Sequence, residues 1–276
     1  MKLMSSQFKT VYINTFQKEM RNKSILILLA LTIAIIFIFN AAFGFFSGLL
    51  EGSPLPTDGA IGKFPLIAFY TFLESWSVLI AVTLGVSIVQ SDEENNVIPQ
   101  LLSFPIKRWE YLLARILGGW TIVILYYLFS ISFAQFLFFM SAKVFLASEQ
   151  IIFAVVNSCL IVLPAIFLSV FFTLFTNKIF AFILTFLSTS VITWANLSIG
   201  SASISEILEK LDGTSFFAGG IHYLLPRVGV LNSFTNEILQ GQNLSFGLYA
   251  TTYIHYAVSV VLFFLFISVL FKKKDF

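Results

Sequence analysis

The stretch SDEENNVIPQLLSFPIKRWEYLLARILGG, residues 91–119, stands between two long apolar runs. Three consecutive acids open it, two prolines interrupt it, and Lys107 and Arg108 precede its return to apolar sequence. Ser91 and Glu94 have the spacing of a capping box, and Asp92 and Glu93 add negative charge beside it. This pattern predicts that the preceding span ends and that a new short helix starts at Ser91. Pro99 and Pro105 would bound or break that helix. Leu101, Leu102 and Phe104 between them, with Ile106 just past Pro105, make an apolar patch on a segment otherwise rich in charge. Such a patch needs a cover, which is either the bilayer surface or another protein.

The flanking runs fix the class. Hydrophobic residues make up 58% of the 276-residue chain and charged residues 11%. A soluble domain carries about 25% charged residues. Apolar runs long enough to cross a bilayer as helices fall at 24–50, 64–90, 111–140, 151–176, 179–197 and 246–271. The reading is all-α: a polytopic membrane protein of six transmembrane helices in one domain, residues 1–276. The first run lacks the cleavage pattern of a signal peptide and is kept as a span. The lone Cys159 allows no internal disulfide.

An even number of spans puts both termini on one side. Lys2, Lys9, Lys18, Arg21, Lys23, Lys107, Arg108, Arg115, Lys178 and Lys272 to Lys274 share that side, twelve of the 16 Lys and Arg. The positive-inside rule makes it the cytoplasm.

Outside the spans, residues 1–23 hold a predicted amphipathic helix from Phe8 to Met20. Phe8, Val11, Tyr12, Thr15, Phe16 and Met20 share its apolar face, with Lys9, Lys18 and Glu19 elsewhere. Its place is the lipid interface. The external segment, residues 200–245, predicts a short capped helix from Ser203 to Gly213. It then holds an apolar stretch from Ile221 that either dips into the outer leaflet or packs on helix ends. Residues 246–276 form the last span and a basic tail.

Two ionisable residues lie within spans. A carboxylate at mid-membrane costs roughly 2.5–3.5 kcal/mol, so Glu74 must pair, face a cavity or hold a proton. His255 lies at matched depth in the sixth span, which suggests a Glu74–His255 contact. Asn40, Gln135 and Asn157 read as glue between helices. Gly44, Gly48, Gly85, Gly118 and Gly119 allow close helix approach, and Pro164 should kink the fourth span.

The opening stretch resembles the loop between spans 2 and 3 in permease subunits of type-2 ATP-binding-cassette (ABC) exporters. Glu93-Glu94, Leu101-Leu102-Ser103, Pro105-Ile106-Lys107-Arg108, Glu110 and the run from Leu112 to Gly118 carry the likeness. So do KEMRNK before the first span and FKKKDF at the tail. The family usually has Gly-Thr ahead of the Leu pair, where this chain has Asn96-Val97. The resemblance implies that the short helix is a cytosolic coupling helix. Glu93, Glu94, Leu101, Leu102, Phe104, Pro105 and Arg108 would then dock an ATPase subunit. It implies a non-catalytic permease in a bacterial cytoplasmic membrane, working with two ATPase copies and a second permease copy, most simply as a homodimer. The ensemble would export a substrate or do mechanical work on an external accessory protein. ATP and Mg would sit in the ATPase, with no cofactor bound here. Lipid is the other partner, and nucleic acid is not one.

The chain's own Gly62-Lys63 is followed by Phe64, with Thr57 where a phosphate-binding loop needs its first glycine. An intramembrane protease is the alternative suggested by Glu93-Glu94. It needs Arg at position 98, where Ile98 stands, and a histidine within hydrogen-bond reach. A scaffold or channel would leave the short helix unexplained.

Overall fold

The computed structural model describes residues 6–21, 23–50, 59–94, 97, 106–142, 148–199, 213–242 and 246–274. Among them lie nine helices and no strand: α1 Ser6–Met20, α2 Lys23–Leu50, α3 Gly59–Glu94, α4 Arg108–Ala142, α5 Ser148–Thr173, α6 Lys178–Ile199, α7 Gly213–Leu224, α8 Val228–Leu239 and α9 Phe246–Lys273. Helices are the available solution for chains crossing hydrocarbon, because each satisfies its own backbone groups. Six of them, α2 to α6 and α9, are long and apolar enough to span a membrane. The chain is thus a multi-pass, all-helical membrane protein by length and composition.

The core lies between α3, α4 and α5. Ile80, Leu84 and Ile88 of α3 meet Ile116 and Val123 of α4 and Val162 and Ile166 of α5. Small residues set how closely these helices approach. A β-carbon at Gly85 would stand 2.6 Å from Ser169 Cβ, and Gly119 leaves the same kind of room for Ile88. At Gly44 a β-carbon would meet nothing within 4 Å among the described residues. In contrast α2, α6 and α9 keep long exposed apolar faces, with Phe37, Phe186 and Phe266 among them. Those faces suit lipid.

Polar side chains cross-link the spans as expected of intramembrane glue. The Tyr70 hydroxyl donates to Gln135 Oε1 at 2.6 Å, and the Tyr253 hydroxyl donates to Asn157 Oδ1. Helix α5 continues through Pro164.

Two sequence expectations change here. The acids of Ser91–Glu94 do not open a new helix; they are the last turn of α3, which is 36 residues long. The capping-box spacing was real, but no proline follows Pro65 in the apolar run before it, so the helix continues to its charged end. Second, α1 covers the predicted Phe8–Met20 range and starts two residues earlier, at Ser6, yet its inner face packs on α4 rather than on lipid alone. The buried stripe is Phe8, Val11, Thr15 and Glu19, while Met20 is exposed. Gly118 of α4 makes the seat: a β-carbon there would lie 2.8 Å from Thr15 Cβ. Tyr12 and Thr121 hydroxyls pair across the same contact at 2.9 Å.

Residues 213–239 are also largely helical. α7 packs along α6, and α8 packs on α5 and α6. Gly229 brings α8 against the Thr193 carbonyl, and Thr71 of α3 donates to Asn236 Oδ1 at 2.8 Å. Both helices thus pack against the spans. The helix predicted from Ser203 to Gly213 lies outside the described residues, apart from Gly213, which starts α7.

Candidate functional site

A charged junction joins four elements at one end of the bundle. It forms because acids terminate α3. Carboxylates near a helix C-terminus oppose the helix dipole, so they need cations from elsewhere. Asp92 is 1% exposed and takes three partners. Lys18 Nζ from α1 donates to Oδ1 at 2.9 Å, while the Tyr111 hydroxyl from α4 donates to Oδ2 at 2.6 Å and the Arg115 guanidinium of α4 pairs with that same Oδ2. Arg115 Nη1 also donates to Thr15 Oγ1 at 3.0 Å, which returns the network to α1. Lys18 adds a 2.7 Å bond to Ser91 Oγ. A buried carboxylate satisfied by two cations and a phenol fixes the relative register of α1, α3 and α4.

The tail closes the junction from the other side. Lys274 Nζ lies 2.9 Å from Glu93. Arg108 Nη1 donates to the carbonyls of Lys272 and Lys274 at 2.9 and 3.0 Å, capping orphan carbonyls at the end of α9. Glu110 accepts a long, 3.4 Å bond from the Lys107 backbone N–H at the start of α4. The last turn of α1 and the end of α9 therefore both reach the end of the bundle at which α3 stops and α4 starts.

Of the coupling residues named from sequence, Glu93 and Arg108 belong to this junction. Glu94 is exposed at its edge. Leu101, Leu102, Phe104 and Pro105 lie outside the described residues. Asp92, Tyr111 and Arg115 hold the centre of the junction, although the sequence reading singled out none of them for it. The signal was available: Asp92 and Arg115 flank the interruption, on two neighbouring spans.

The intramembrane pair resolves differently. Glu74 and His255 do not bond to each other. The Ser158 hydroxyl donates to Glu74 Oε2 at 2.7 Å, and the Tyr127 hydroxyl donates in turn to Ser158 at 2.9 Å. His255 Nε2 bonds the Tyr223 carbonyl at 3.0 Å and so ties α9 to α7. Matched depth along two spans did not mean a shared face. His222 was missed as a structural group: its Nδ1 pairs with Asn196 Oδ1 at 3.0 Å and pins α7 to α6. Burial, with Arg227 and His255 nearby, pushes the His222 imidazole down to about 4.

Comparison with known proteins finds no family model that matches the chain and no curated protein that matches it.

Proposed function

We propose that this chain is the membrane-spanning permease subunit of a type-2 ABC exporter. It would couple ATP hydrolysis in a separate ATPase to movement of a substrate, or to work on an external partner. The junction end would face the cytoplasm of a bacterial cell, and residues 95–105 would carry the docking surface, with Leu101, Leu102 and Phe104 as its apolar contacts. Two ATPase copies and a second permease copy complete the machine.

One observation carries the reading. Asp92, Arg115, Lys18 and Lys274 tie α1, α3, α4 and α9 together at the base of residues 95–105. A push on that segment would be delivered to four helices at once. The Asp92–Arg115 pair at the centre of the mount is desolvated, and such a pair is stiff compared with an exposed one, so little displacement between α3 and α4 is lost in local rearrangement. A segment that only rested on lipid would need no such mount.

The test is biochemical. A cysteine placed at Leu101 should crosslink to an ATPase subunit purified with the chain, and Mg-ATP hydrolysis by the complex should respond to the permease. Leu101→Asp combined with Leu102→Asp should abolish the crosslink at a neighbouring cysteine and uncouple hydrolysis. An ATPase indifferent to both substitutions would overturn the reading.

A further inference from the structure

Glu74 lines a cleft of about 500 Å³ between α3, α5, α6 and α8. That size is typical of a site for a small organic molecule. Glu74 lies twenty residues before the end of α3, roughly 30 Å from the charged junction along the helix axis. The site is therefore remote from the junction. The rings of Phe186 and Trp194 form part of its lining and are themselves half exposed on the side of the bundle, so the cleft opens laterally.

The lining has one chemical bias. Glu74 is 2% exposed; Ser158 bonds its Oε2, and its Oε1 has no hydrogen-bond partner. Around it stand four hydroxyls whose protons are already used on their own helices. Ser75 donates to the Thr71 carbonyl at 3.1 Å, and Thr193 donates to the Thr189 carbonyl at 2.9 Å. Thr189 and Ser190 both donate to the Phe186 carbonyl, at 2.8 and 2.9 Å. Their oxygens keep only lone pairs to offer. No Lys, Arg or His is among the described lining residues; the side-chain N–H groups there are those of Asn232 and Trp194, both neutral. The cleft thus presents acceptors and one carboxyl, against a wall of Val78, Ile161 and Leu168. A bare ion would leave that wall unfilled. An anion would meet the carboxyl. A molecule with an ammonium head and an apolar body satisfies both parts, and aromatic faces at the rim favour a cation.

We propose that the Glu74 cleft binds an amphiphilic primary amine. Its N–H groups bond Glu74 Oε1 and neighbouring hydroxyl oxygens, while its apolar body lies along Leu168, Phe186 and Trp194. The head could belong to a free alkylamine or to an ethanolamine lipid, which share this chemistry. Binding concerns the chain alone, without ATPase, so it stands or falls separately from the exporter reading.

The test uses the full chain in phosphatidylcholine nanodiscs and a diazirine-bearing dodecylamine, with the matching dodecanol as control. Photolabelled peptides are mapped by mass spectrometry. The amine is expected to label the α6 peptide around Trp194 at least tenfold more than the alcohol. Glu74→Gln should remove that preference. Ser190→Trp, which fills the cleft and leaves Glu74 intact, should block labelling and serves where the first variant does not fold. Ethanolamine lipid added to the disc that suppresses labelling assigns the head to lipid, and labelling that persists assigns it to the free amine; both support the site. Equal labelling by amine and alcohol, or labelling unchanged in a folded Glu74→Gln protein, overturns it.

Discussion

Asp92 and Glu74 are both carboxyls on α3 and both are buried, yet the fold treats them in opposite ways. Asp92 is enclosed by Lys18, Arg115 and Tyr111, contributed by two other helices. Glu74 receives one hydroxyl and keeps an oxygen unpartnered. The difference teaches what each is for. A buried carboxyl answered by cations within the chain is part of the frame; one with an oxygen left over has room for a further donor, which the proposed amine would supply.

The contrast can be broken most directly at Asp92. Asp92→Ala leaves Arg115 buried without its counter-charge and should cost about 3–5 kcal/mol, the usual penalty for removing one partner of a buried pair. Unfolding in mixed micelles by SDS titration would measure it, and Asp92→Leu with Arg115→Met should recover much of the loss. A cost below 1 kcal/mol for the single change would mean that the junction is not a frame.

Next in size is the seat of α1. Gly118→Val places bulk against Thr15 and the Tyr12 carbonyl. Overpacking of this kind costs about 1–3 kcal/mol. The same titration should show it, together with faster proteolysis within α1.

A third effect comes from pH. His222 is held neutral down to about 4, whereas an unfolded histidine takes its proton near 6.5. Between these values the unfolded chain binds more protons, so stability should fall as pH drops from 6.5 toward 4. His222→Asn should flatten that slope in melting curves measured across the window. A slope unchanged by the substitution would place the acid sensitivity elsewhere.

The smallest changes sharpen the comparison. Glu93→Gln removes a partly exposed bridge to Lys274 and should cost about 0–1 kcal/mol. Glu74→Gln keeps the shape of the side chain and breaks no ion pair, so the folded chain should change by less than about 1 kcal/mol. A loss at Glu74 as large as that at Asp92 would mean that the two carboxyls have the same structural role.

How much of this could be read from sequence depends on the kind of signal. The six spans were legible because each is a local property of twenty or more neighbours. α1 was legible for the same reason, but its orientation was not: the choice between the stripe through Glu19 and the one through Met20 is made by Gly118, a hundred residues away. Ser91 and Glu94 misled because capping spacing describes a start only where the preceding residues do not already form a helix. Glu74 and His255 were rightly singled out as unusual. Their rotational positions were not legible, since depth follows from counting residues while facing follows from packing. The α7–α8 hairpin was half visible, as apolar sequence too rich for a loop, and its place depends on distant partners: Gly229 and His222 against α6 and Asn236 against α3.

The seating of α1 has a practical corollary. Lys18 and Thr15 supply one cation to Asp92 and one acceptor to Arg115, so an N-terminal truncation past residue 20 would remove two supports of the junction in a single cut. Material shortened in that way should not be mistaken for a minimal membrane core: it would keep all six spans and lose the brace that holds the second and third in register.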